Sequence, residues 1–173
     1  MTPPWPFSIV LCCLWVATLG GTAHAASFAA GDVVVYRVGD GSSGLVNTGS
    51  PVFLDEFTPG GVLVQSIPLP TTVSGQNNQL IASGTATSEG LLSRSTDGQY
   101  LVLTGYARNL GLTGSLAGTA AASVPRSVGR VGFDGTIDTS TALTDFADLN
   151  NPRTATSTDG TNLWVGGAAG GVR

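Results

Sequence analysis

The sequence predicts an all-β protein of antiparallel hairpin repeats. Short β-branched runs are cut at intervals by Gly, Pro, Asp and Asn. Helix formers are scarce, with Glu56 and Glu89 the only glutamates and no lysine anywhere. One hairpin motif occurs twice, which favours part of a β-propeller, with a small β-sandwich as the alternative.

Asp32 to Val38 is the first strand expected, bounded by Gly31 and by Gly39-Asp40-Gly41. Val52 to Phe57 is the second, and Thr58-Pro59-Gly60-Gly61 turns the chain into a third from Val62 to Leu69. Residues 71–90 are loop-like, with Gln79-Leu80-Ile81-Ala82 ambiguous within them. Leu91 to Arg94 and Tyr100 to Tyr106 form a hairpin around Ser95-Thr96-Asp97-Gly98. A Gly/Ala/Ser/Leu stretch leads to about residue 124, and a second hairpin spans Val128 to Ile137 around Phe133-Asp134-Gly135. Residues 139–153 are expected as a polar loop, and Thr156 to Val165 as a last hairpin.

Ser95-Thr96-Asp97-Gly98 returns unchanged as Ser157-Thr158-Asp159-Gly160, 62 residues later. Leu101-Val102-Leu103 aligns with Leu163-Trp164-Val165, and Gly105 with Gly167. A fainter echo at an offset of 74 sets Gly61 to Ser66 against Gly135 to Ser140. The two offsets differ by 12, the length by which the 69–95 connection exceeds the 143–157 one. An insertion in a loop is the ordinary way for repeats of this kind to diverge.

Gly31 to Gly41 and Val52 to Phe57, followed by Asn151-Pro152-Arg153, Thr158-Asp159-Gly160 and Trp164 to Gly167, resemble the pattern of a group of secreted bacterial β-propeller-like proteins of unknown function. The resemblance covers roughly residues 28–173 and implies export and fold, with no site residues to carry over. Members of the group are longer. About two repeats against the 4–8 blades of a closed propeller lead us to expect only its N-terminal portion, possessing a truncated C-terminus.

Residues 1–25 have the form of a secretory signal peptide. Phe7 to Leu19 is apolar almost throughout, Gly20-Gly21 follow, and Ala23-His24-Ala25 places cleavage before Ala26. The apolar stretch is shorter than the ~20 residues that span a bilayer. The expected location is outside the cytoplasm, either secreted or periplasmic and at the cell surface, with no membrane contact once the signal is removed.

Cleavage would remove Cys12, Cys13, His24 and Met1, leaving residues 26–173 as a single domain whose seven basic residues are all Arg. Such a chain can form no disulfide, no Ser-His-Asp or Cys-His catalytic set and no lysine Schiff base. Zinc, haem and iron–sulfur sites lose their usual ligands. A net charge of −4 with no basic run argues against nucleic acid. Carboxylate chemistry, oxygen-ligated metal or binding without chemistry survive this elimination.

Asp145, Asp148, Asn150 and Asn151 gather oxygen donors within seven residues and are the candidate calcium ligands, although their spacing departs from an EF-hand. Asp55-Glu56 alternate faces of a strand and are expected as a solvated strand end. Asp97, Asp134 and Asp159 each precede Gly and are expected to build turns. Tyr100 and Trp164 are expected in the core, and Arg126 and Arg130 are weak candidates for an anion. No catalytic residue and no cofactor site other than calcium is assigned. The function expected is a non-catalytic binding or structural module for a glycan, an envelope component or a protein. The alternatives are a carboxylate-dependent extracellular glycosidase or lyase, and a non-functional gene fragment.

Overall fold

The β-branched run Val33–Val38 (β1) alternates its side chains strictly: Val34, Tyr36 and Val38 pack inward while Val33 and Val35 stay exposed. That alternation decides how the protein is layered. The computed structural model describes residues 25–173, and the nine strands found there are all antiparallel within three sheets, with no helix. The all-β hairpin architecture read from the sequence is therefore present.

The first sheet joins β1 to Val52–Phe57 (β2) and Leu63–Pro68 (β3), in that order. The second has four strands: Ser93–Arg94 (β4), Tyr100–Tyr106 (β5), Arg126–Gly132 (β6) and Ile137–Leu143 (β7). The third pairs Pro152–Ser157 (β8) with Leu163–Gly167 (β9). No sheet closes into a barrel. Within each sheet consecutive strands pair, across short turns such as β2–β3 and β8–β9 and across longer connections such as β1–β2 and β5–β6.

The sheets are layered by their side chains. Leu101 and Leu103 of β5 turn to one side, into a core with Val34, Tyr36, Val52, Leu54 and Ile67 of the first sheet. Tyr100 and Val102 turn to the other, against Ala155, Leu163 and Val165 of the third. The middle sheet is thus covered on both faces, and each outer sheet on one. The third sheet is joined to it further by a parallel bridge between Leu91, just before β4, and Thr154 of β8.

The polar loop expected over residues 139–153 is two different things. Residues 137–143 are strand: Ile137, Asp138, Thr141, Ala142 and Leu143 pair along β6, and at the bulge between them Thr139 bonds to Asn77 and Asn78 instead. Residues 144–151 form the connection, where Ala147 and Leu149 adopt positive φ of 49° and 52°. The ambiguous Leu80-Ile81-Ala82 is fully buried without being a named strand. Ala82 exchanges two backbone hydrogen bonds with Ser50, and Ile81 exchanges two with Tyr106. This segment therefore clasps the first sheet's side of the molecule to the second sheet.

Candidate functional site

The twin Ser-Thr-Asp-Gly segments are turns built by the same side chains. In the first, Asp97 Oδ1 accepts from Ser95 Oγ at 2.6 Å and from the Gln99 amide at 3.0 Å, and the Tyr100 amide donates to Ser95 Oγ at 2.9 Å. The Ser95 hydroxyl, chiefly, holds the Asp97 carboxyl below its usual range. In the second, the Thr161 amide donates to Asp159 Oδ1 at 2.9 Å, and Ser157 Oγ accepts from Gly160 and donates to the Asn162 carbonyl. The two turns touch: the amides of Thr96 and Asp97 donate to the carbonyls of Ser157 and Thr158. Asp134 likewise accepts from the Thr136 amide and hydroxyl. All three aspartates shape turns, as their sequence context implies.

The calcium candidates are spread apart in their bonding. Asp148 Oδ1 accepts from the Ala121 amide at 2.8 Å. The Asn150 carbonyl accepts from Arg126, and the Asn151 side chain bridges Tyr106 and Ser88. Asp145 is well exposed, 3.8 Å from Arg173. Among the described residues no three His, Cys, Asp or Glu side chains gather into a metal-ligating group. Of the residues assigned to signal cleavage, Ala23 and the bulk of the signal segment lie outside the described residues. Ala25 lies against Gly135, and Ala26 bonds through both its amide and its carbonyl to Gln65.

Three expectations are corrected. Asp55 and Glu56 are buried at 6% and 0% exposure, not a solvated strand end. They do face opposite ways: Asp55 pairs with Arg37 and Ser66, while Glu56 accepts from the Ala29 amide and Gln65. Trp164 is 44% exposed rather than core, because it sits on the uncovered face of β9. Arg126 is fully buried and donates to the carbonyls of Thr119, Val124, Ala147 and Asn150, so its guanidinium ties loops together. Arg130 pairs with Asp138 at 2.7 Å.

A polar cluster that sequence reasoning did not single out lies beside Arg126. Glu89 Oε1 accepts from the Ser83 amide, while Oε2 has no hydrogen-bond partner among the described residues. The Tyr36 hydroxyl, also buried, has none either. Burial pushes the Glu89 carboxyl up to about 7. Burial, with the Glu89 charge adding, drives the Tyr36 and Tyr106 phenols upward as well. Tyr106 Oη donates to Asn151 at 3.1 Å and its ring lies 4.9 Å from the Arg126 guanidinium. Glu89 stands in a Ser/Gly/Thr-rich loop with no motif around it. Its rarity was the one signal available.

A cleft of about 280 Å³ opens between the N-terminal segment and the β4–β5 hairpin. Phe28, Val34, Tyr100, Leu101 and Phe133 give it apolar and aromatic walls, with Arg94 at its rim. The Phe28 amide donates to the Phe133 carbonyl, and the Phe133 amide to the Gln99 carbonyl, so the walls are backbone-pinned. Phe133 is 46% exposed. An aromatic face, apolar floor and a guanidinium at the edge suit a compact ligand with both apolar and hydrogen-bonding surfaces.

The chain matches no family model, no curated protein and no solved structure. The site is therefore argued from its own geometry.

Proposed function

We propose that this protein is an exported, non-catalytic binding module of β-propeller-type blades, and that its ligand is a glycan seated in the cleft at Arg94 and Phe133. The observation that carries this is the cleft itself: pinned aromatic walls beside an exposed guanidinium. Sugar rings offer apolar C–H faces to aromatic side chains and hydroxyls to Arg and Gln. The resemblance of residues 28–173 to secreted bacterial propeller-like proteins supports the export and blade architecture in this proposal, as does the apolar segment before Ala26.

Calorimetric titration of the exported protein with neutral and acidic oligosaccharides tests it. Saturable binding is expected, weakened roughly tenfold by Arg94→Ala and by Phe133→Ala with unchanged melting temperature. Failure of every glycan to bind, or binding indifferent to both variants, refutes the assignment.

A carboxylate-dependent hydrolase or lyase is the second reading, and Glu89 is the observation that favours it. A carboxyl raised to about 7 has the protonation behaviour of a general acid. Turnover of an oligosaccharide abolished by Glu89→Gln would move the protein to that class.

A further inference from the structure

Glu56 is a fully buried acid, and among the described residues no arginine forms an ion pair with it. Both of its carboxyl oxygens accept: Oε1 from the Ala29 amide and Oε2 from Gln65 Nε2, each at 2.6 Å. A buried carboxyl group met by hydrogen bonds alone is still short of a counter-charge. Gln65 carries the contact onward. Its Nε2 also donates to the Ala26 carbonyl at 3.0 Å, and its Oε1 accepts from the Ala26 nitrogen at 3.2 Å. The carboxamide thus turns its positive end to Glu56 and its negative end to the Ala26 nitrogen. Residues 25 and 26 pass closely over the β6–β7 turn, where a Cβ on Gly135 would meet the Ala25 carbonyl at 2.8 Å and the Ala26 carbonyl at 2.9 Å.

We propose that Gln65 and Glu56 form a receptor for the α-ammonium of the mature chain. The proposal rests on the export reading, in which the Ala25–Ala26 bond is cut, and does not depend on the glycan. Hydrolysis by the export peptidase adds water across that bond, leaving a carboxylate on Ala25 and an ammonium on Ala26. The nitrogen that donated one hydrogen then has three to donate. It already faces an acceptor oxygen, and a single carboxamide separates it from Glu56. That separation is within the roughly 10 Å over which charges act at about 0.1 M salt. Ala25 lines a cleft of about 480 Å³ with Gln65, Ile67 and Gly135, so its departure opens room beside the new amine. Removal of the leader therefore supplies the positive charge that the interior of the first sheet lacks.

The chain has no lysine, so the α-amine is the sole primary amine of the mature protein and an acetylating reagent reads it alone. The test uses the protein recovered from an exporting host, its N-terminus read by mass spectrometry. At pH 7 the amine of the folded protein should react at least about threefold more slowly than that of a free peptide spanning residues 26–31, because a docked ammonium holds its proton. Acetylation driven to completion should lower the melting temperature by about 2 °C or more. Neither measurement needs a variant. In Glu56→Gln the same acetylation should cost less than about half as much, since the charge partner is gone. Packing of residues 26–29 alone would give equal losses in both backgrounds. A mature chain that starts elsewhere than Ala26 overturns the cleavage assignment and this proposal together. A chain that starts at Ala26 but reacts as fast as the peptide, melts unchanged after acetylation or loses as much in Glu56→Gln overturns the receptor and leaves export standing.

Discussion

Val102 and Trp164 hold the same place in two copies of one hairpin, yet Val102 is fully buried and Trp164 is 44% exposed. The difference is made by what lies in front of each: the third sheet covers β5, and among the described residues none covers β9. Truncating Val102 to Ala should therefore cost about 2 kcal/mol, as a buried methyl pair leaves a cavity. Trp164→Ala should cost less than about 1 kcal/mol in dilute protein. Urea denaturation of both variants measures the contrast.

Gly98 and Gly160 close the twin turns at φ of 74° and 77°, where any L side chain is strained. Their surroundings differ. A Cβ at Gly98 meets the movable end of Arg94, whereas at Gly160 it meets the Tyr100 ring at 2.5 Å. Gly98→Ala should cost about 1 kcal/mol, and Gly160→Ala at least about 1 kcal/mol more. Thermal melting of the pair would rank them, and equal losses would rule out the ring contact as the cause.

Much of this architecture was legible in the residues. Strand β2 falls where its apolar run and flanking turn residues place it, and the Asp-Gly turns follow from local chemistry alone. Strand β7 was missed because Thr, Ser and Asp alternate there without an apolar face, and only pairing with β6 makes it a strand. The Glu89 cluster was hidden for a different reason. It joins residues 36, 89, 106 and 126, which no local pattern connects. Arg126 misled similarly: its closeness in sequence to Arg130 suggests an anion site, whereas folding surrounds it with carbonyls.

Arg126 should be costly to remove. Six hydrogen bonds run from its guanidinium to residues 119, 124, 147 and 150, and burial holds its pKa below the usual arginine range. Arg126→Leu would leave buried carbonyls unmatched, at about 3 kcal/mol or more. Arg126→Lys keeps charge but not the planar fork, and should lie between. Limited proteolysis is the direct measurement, with new cuts expected at 119–124 and 147–150.

Glu89 should give the protein a distinctive pH response. Its folded pKa of about 7 lies above the ordinary 4.5, so folding favours the protonated acid. Its contribution is neutral below about pH 4.5, becomes unfavourable as pH rises toward 7, and is constant above. The loss is on the order of 3 kcal/mol. Asp55 acts oppositely. Its carboxyl, lowered chiefly by Arg37, contributes stability that vanishes as pH falls through the acid range. Chemical denaturation from pH 4 to 9 should show declining stability above pH 5 in the wild type and a flat profile in Glu89→Gln. Parallel profiles would contradict the assignment.

The Leu80–Ala82 clasp has a consequence for how the molecule comes apart. Layers held only by apolar side chains can peel away singly, each exposing its own face. Here the backbone of Ile81 is bonded to Tyr106 and that of Ala82 to Ser50, so neither neighbouring sheet can leave without breaking hydrogen bonds inside the other's junction. The first two sheets are thereby fused into one cooperative unit, and the amides of Ile81, Ala82 and Tyr106 should exchange with solvent only when that whole unit opens. The third sheet is tied to the middle one as well, by the amides of Leu91, Thr96 and Asp97 donating to the carbonyls of Arg153, Ser157 and Thr158, so its strands are expected to open with that unit rather than ahead of it.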